Sequence, residues 1–281
     1  QAYGDLSRPD RMLRLLRHML SSERVRVDWG LKMDENEVLA LVRRQDFGGA
    51  FEAVMTAWAE KAGKPRWGEK TPQNAHYADA LVAFFPSAKY LHIIRDGRDV
   101  ALSLFNTPFG PKSSYHAARY WLSYLNEIET IRRHTAAEQF HMLRYENLLG
   151  SPEKTLQEVC SFLDETYDNE MLTFFRGDTP SNIEETNRAN LQKPLDASNM
   201  YKWKSRMSPA RLQIFESLAG ERLEQLGYEQ SGPPAPLPAF ASIKDRFIKP
   251  APARVRGMLA NAKAQREFLF RLKNRIELLI R

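Results

Sequence analysis

The run KYLHIIRDGRDVALS, from Lys89 to Ser103, constrains the fold more than any other stretch of the chain. Its apolar half, Tyr90 to Ile94, has the length and residue types of a strand. It stops at a charged turn around Gly97, after which a helical pattern begins. A strand ending beside a helix N-terminus aims backbone N–H groups and the guanidinium of Arg95 at one point, which suits a phosphate. The residues alone also allow a plain surface turn, with the Arg and Asp side chains of RDGRD paired locally.

The flanking pattern places this unit in a parallel sheet. Apolar residues recur at three-to-four spacing between Arg8 and Lys64, for example Met12, Leu15, Leu16 and Met19, which predicts helices. A further helix is expected from Asn74 to Phe85, ended by Pro86. After the 90–94 strand come a helix through Ala101 to Phe105, a Pro/Gly loop from Thr107 to Ser114 and a long helix from Tyr115 to Arg133. A second strand follows at Phe140 to Arg144, then a helix with Ser151 as N-cap and Pro152 in its first turn. Helix, strand, helix, strand order implies an α/β fold with a parallel sheet flanked by helices. Residues 176 to 202 turn polar and read as a long irregular loop over a site. A last helix in this region has Ser208 as cap, Pro209 at its first position and Gly227 at its end.

Three segments are expected: a domain over 1–230, a Pro-rich linker over 231–242 and a basic amphipathic helical tail over 243–281. The net charge is +6, yet residues 243–281 carry eleven Lys/Arg against Asp245, Glu267 and Glu277, so the rest of the chain is slightly acidic. The basic character therefore belongs to the tail, and no nucleic-acid partner is expected for the domain. The tail is a candidate for an anionic membrane surface, for a subunit contact, or for packing on its own domain. Cys160 is the only cysteine, and the histidines at 76, 92, 116, 134 and 141 lack ligand spacing, so no metal is expected. With no apolar run near the roughly 18 residues of a membrane span, a cytoplasmic location is the expectation. The chain opens on Gln1, and loss of an upstream piece is expected from that.

Four blocks together resemble the sulfotransferases that use 3′-phosphoadenosine 5′-phosphosulfate. They are GEKTP (68 to 72), FFPSAKYLHIIRDGRDVALS, LRYENLLGSPEKTLQEVCSFLD and YKWKSRMSPARLQIFESLAGERLEQLGY, in family order over Trp67 to Tyr228. The resemblance implies a P-loop NTPase-like α/β fold and that nucleotide as sulfonate donor. It also implies a hydroxyl-bearing small molecule, glycan or protein as acceptor. The family's 3′-phosphate site, an Arg and a Ser eight apart, carries over onto Arg95 and Ser103. The Tyr near the adenine carries over onto Tyr145, with Asn147 standing where Asp is more usual. The family's Gly-rich loop of the type G-x-x-R-S-G-T-T has no counterpart in these 281 residues, so a truncated form with little transfer activity is expected.

In the GEKTP turn, Lys70 is a candidate for stabilising charge on the moving sulfonate, and Glu69 for taking a proton from the acceptor hydroxyl. The alternative for both is a solvated turn. For Tyr145 the alternative is a ring capping the core with its hydroxyl in water. Lys193, Lys202 and Lys204 belong to the late segment and are open to either a nucleotide contact or plain solvation. Two other functions stay open on residues alone. One is a P-loop kinase or nucleoside triphosphatase, although its G-x-x-x-x-G-K-[ST] run is absent. The other is a non-catalytic interaction protein working through the basic tail.

Overall fold

The computed structural model describes residues 3–22, 25–26, 30, 32–107, 110–177 and 191–238. They form two compact units. The first holds the described residues up to Asn74 together with Ala80–Pro86, and the second holds Ala75–Asp79 and the described residues from Ser87 onward. The expected basic tail over 243–281 and the end of the linker lie outside the described residues.

The first unit is helical. Helices α1 (Pro9–Leu20), α2 (Glu35–Leu39) and α3 (Phe47–Lys61) enclose Met12, Leu15, Leu16, Val38, Ala50 and Val54. The α1 stripe is the three-to-four spacing read from the sequence. Asp34 and Glu37 close a reciprocal cap at the start of α2, and Asp46 accepts the Gly49 N–H at 2.6 Å to start α3. Phe51, Trp67 and Phe85 meet edge to face, with centroids about 6 Å apart.

The expected helix from Asn74 to Phe85 is two pieces, a 3-10 turn Pro72–Tyr77 and α4 (Ala78–Phe84). The tight start has a local cause. Glu69 accepts from the Thr71 N–H at 3.1 Å, from the Thr71 hydroxyl and from the Asn74 amide at 2.6 Å. These bonds, with the Asn74 N–H on the Thr71 carbonyl, draw residues 69–74 into three-residue turns.

In the second unit β1 (Tyr90–Ile94) and β2 (Phe140–Arg144) pair in parallel, Tyr90 opposite Phe140 and Ile94 opposite Arg144. Both strands have the bounds the sequence predicts. The crossover between them is α5 (Gly97–Phe105) and α6 (Ser114–His134), and β2 leads into α7 (Tyr145–Gly150) and α8 (Pro152–Leu163). The core gathers Ile94, Ala101, Trp121, Trp203, Phe215 and Leu223. Gly97 is required by that packing: a Cβ there would lie 2.6 Å from the Trp121 ring and 2.8 Å from Phe215.

Three local expectations change. Helix α5 starts inside the RDGRD turn, at Gly97, because Asp96 caps it by accepting the Arg98 N–H at 2.9 Å. Ser151 and Ser208 hold the expected N-cap positions, but neither side chain caps. The proline after each presets the helical φ and offers no N–H, so those helices start without a serine side-chain bond. The polar stretch 176–202, read as irregular, includes a 3-10 turn Ala197–Asn199; the short helix α9 (Trp203–Arg206) follows it, before α10 (Pro209–Gln225). No described helix is long and apolar enough to cross a membrane.

Candidate nucleotide site

The site grows from the C-terminal end of β1. Ile94 is buried, and the chain turns directly into α5, so Arg95 sits where the strand ends and the helix begins. Its backbone is pinned by the Trp121 indole N–H, which donates to the Arg95 carbonyl at 3.2 Å. The guanidinium lies over the Tyr145 ring, 4.7 Å from its centroid. One terminal nitrogen donates to the Asn199 carbonyl at 2.6 Å, and Asp99 Oδ2 is 3.8 Å away. Nε is buried and has no hydrogen-bond partner among the described residues. A buried guanidinium nitrogen without an acceptor is costly, and an anionic oxygen is the acceptor its fork geometry favours.

Ser103 is exposed and lies on α5 four residues after Asp99. Residues four apart share a helix face, so Ser103 lies on the same face of α5 as Asp99, whose carboxylate is 3.8 Å from Arg95. Tyr145, the first residue of α7, is half-buried. The structure thus brings Arg95 and Tyr145 into contact and sets Ser103 along the same helix face. Tyr145 acts here as the shelf under the guanidinium, a role its sequence position does not reveal.

The other arginine of the turn is in a different state. Arg98 is fully buried, and its Nε and one terminal nitrogen bind the two oxygens of Asp96 at 2.9 and 2.7 Å. The remaining nitrogen reaches Glu216 at 2.5 Å, and the guanidinium stacks 3.6 Å from the Trp203 centroid. Burial would lower its pKa, but the bonds to Asp96 and Glu216 outweigh that and hold it above its ordinary value. Asp96 is secured in turn by Glu146, which accepts the Asp96 N–H at 2.9 Å and the Tyr228 hydroxyl at 3.2 Å. Burial, with Glu146 next in weight, raises the Tyr228 pKa strongly, so its hydroxyl stays protonated and donates.

Glu69 and Lys70 belong to the first unit and are both exposed. The Glu69 oxygens are engaged by Thr71 and Asn74, so a base role there requires exchanging those bonds for an acceptor hydroxyl. Of the late lysines, Lys204 pairs with Glu229 at 2.6 Å, Lys193 is exposed, and Lys202 donates to the Asn199 side chain. Lys202 is therefore the one joined to Arg95 through a shared residue. Asp99 and Asn199 are absent from the sequence-derived set. The i,i+4 spacing of Arg95 and Asp99 is a signal for the first. Nothing local marks Asn199, which is 104 residues from Arg95. Among the described residues no group of His, Cys, Asp and Glu has metal-holding geometry.

A parallel strand pair flanked by helices, with an arginine at a strand end beside a helix start, defines an α/β fold of the P-loop-like kind. The fold has solved counterparts: the sulfotransferase domain of the Synechococcus PCC 7002 olefin synthase superposes with a TM-score of 0.58 at 23% identity, over 78% of this chain and 81% of that one. The model of the sulfotransferase family matches residues 2–169, and the chain belongs to that family, a family of transferases. The protein-tyrosine sulfotransferase of Drosophila melanogaster is 24% identical over 266 residues, 91% of this chain and 51% of its own length. An uncharacterized protein of Aquifex aeolicus (strain VF5) is 25% identical over 147 residues, 50% of this chain. The chain spans 19% of the Aquifex protein and about half of the Drosophila one.

Proposed function

We propose that the protein is a sulfotransferase that takes its sulfonate from 3′-phosphoadenosine 5′-phosphosulfate and passes it to a hydroxyl acceptor. The observation that carries this is the Arg95 guanidinium at the end of β1, shelved on Tyr145, with a buried Nε that lacks an acceptor. A 3′-phosphate oxygen satisfies that nitrogen, and Ser103 supplies a second donor from the same side of α5. Tyr145 adds an aromatic edge for the adenine. The bound donor supplies an activated sulfonate, and the chain's own task is to hold, orient and desolvate it.

Lys70 is the residue we assign to offset negative charge at the transferring group. Glu69 shapes the turn that presents Lys70, and it accepts the acceptor's proton once Thr71 and Asn74 release it. A hydroxyl acceptor agrees with the name of the Drosophila relative, a protein-tyrosine sulfotransferase.

Binding is the first readout, because none of the 281 residues forms a G-x-x-R-S-G-T-T run. Calorimetric titration with adenosine 3′,5′-bisphosphate, adenosine 5′-monophosphate and ATP tests the reading. The bisphosphate is expected to bind at least tenfold more tightly than either. ATP binding with equal or higher affinity would instead favour a triphosphatase or kinase.

A further inference from the structure

Tyr201 is held at φ +55°, a left-handed conformation that a bulky residue keeps only when its surroundings fix it there. The next residue, Lys202, is right-handed at φ −58° and ψ −26°. Such a pair turns successive backbone N–H groups to one side and makes a small concavity for an anion.

The anion it holds is a side chain of the same protein. Asp99 is buried, and its Oδ1 accepts the Trp203 N–H at 2.9 Å. Burial raises the Asp99 pKa, against which the Trp203 and Tyr201 backbones and Arg95 favour the ionised form. Its Oδ2 has no hydrogen-bond donor among the described residues and lies 3.8 Å from Arg95. The segment anchored in this way also delivers Asn199. The Asn199 carbonyl accepts from Arg95 at 2.6 Å, and its side-chain oxygen accepts from Lys202.

We propose that Asp99 is a positioning residue for the anion site: by filling the 201–203 concavity it docks residues 196–207 beside Arg95, and so sets the affinity for a nucleotide 3′-phosphate that it does not touch. The proposal rests on the nucleotide reading above. Without the anchor, Asn199 leaves the Arg95 guanidinium, which then loses its fixed orientation over Tyr145. A carboxylate that merely stabilised the fold would change stability and leave the discrimination between nucleotides as it was.

The test is the ratio of calorimetric affinities for adenosine 3′,5′-bisphosphate and adenosine 5′-monophosphate, measured on the full chain, because the ratio isolates the 3′-phosphate. Tyr201→Pro forbids a positive φ and removes one N–H of the concavity. It is expected to lower the ratio about tenfold, the scale of one charge-assisted hydrogen bond. Tyr201→Gly adopts φ +55° freely and is expected to keep the ratio within about twofold. Asp99→Asn is expected to lower it as Tyr201→Pro does. Tyr201 is exposed, so its two variants spare the core if Asp99→Asn fails to fold. A wild-type ratio in Tyr201→Pro would overturn the positioning role while leaving the nucleotide reading intact. Absence of any preference in the wild-type chain would overturn the nucleotide reading and this proposal with it.

Discussion

Two short charged turns, 68–72 and 95–99, each contain a glycine and each precede a helical stretch, yet they reach opposite ends of the range of environments. In the first, Glu69 and Lys70 are exposed, and among the described residues the carboxylate bonds only to Thr71 and Asn74, its own neighbours. In the second, Asp96, Arg98 and Asp99 are at most 2% exposed, and their partners come from as far as 118 residues away. The difference teaches that distant elements can desolvate a charged turn and leave one group incompletely paired, which is what makes 95–99 the candidate site. Arg98 is saturated and holds the turn together, whereas Arg95, three residues earlier, keeps a buried Nε without an acceptor.

The sharpest way to break this contrast is Arg98→Ala. Removing that cation strands Asp96 and Glu216, and breaking a buried pair costs about 3–5 kcal/mol. Urea unfolding monitored by tryptophan fluorescence is expected to show a loss of that size. A change below about 1 kcal/mol would mean that the network does not hold the turn.

Arg95→Ala is expected to do the reverse. Affinity for adenosine 3′,5′-bisphosphate should fall roughly ten- to hundredfold, the equivalent of about 1.5–3 kcal/mol for a hydrogen bond to a charged group. Stability should change by less than about 1 kcal/mol, since that side chain is partly solvated. Unchanged affinity in calorimetry would remove Arg95 from the site.

The strand feeding the second turn adds a pH effect. Burial depresses the His92 pKa to about 4 from 6.5, so between those values the unfolded state binds more protons than the folded one. Stability is therefore full above pH 6.5 and is lost as pH falls toward 4. For a half-buried ring we expect about 1–2 kcal/mol of that loss to be absent in His92→Phe. Parallel pH profiles for the two chains would contradict this.

The smallest effect belongs to the first turn. Glu69→Ala removes a local cap and is expected to cost about 0.5–1 kcal/mol, with bisphosphate affinity unaltered. A loss above about 2 kcal/mol would show that this turn is as embedded as the other.

The strand bounds 90–94 and 140–144 were legible because each is a short apolar run closed by charged residues, a local pattern. Arg95, Ser103 and Tyr145 were legible as candidates because the family blocks lie close together in the chain. The α5 start was misplaced by four residues, since RDGRD reads as a turn until the Asp96 cap is seen. Asn199 and Glu216 left no trace, because a contact across a hundred residues has no period.

By itself, then, the amino-acid sequence determined the parallel strand and helix order, the family and the two arginines of one turn. Only the tertiary structure decided which arginine is saturated and which keeps a buried nitrogen without an acceptor among the described residues. That choice depends on which distant oxygens reach each guanidinium and how much water they exclude, and neither quantity is encoded in the turn's own five residues.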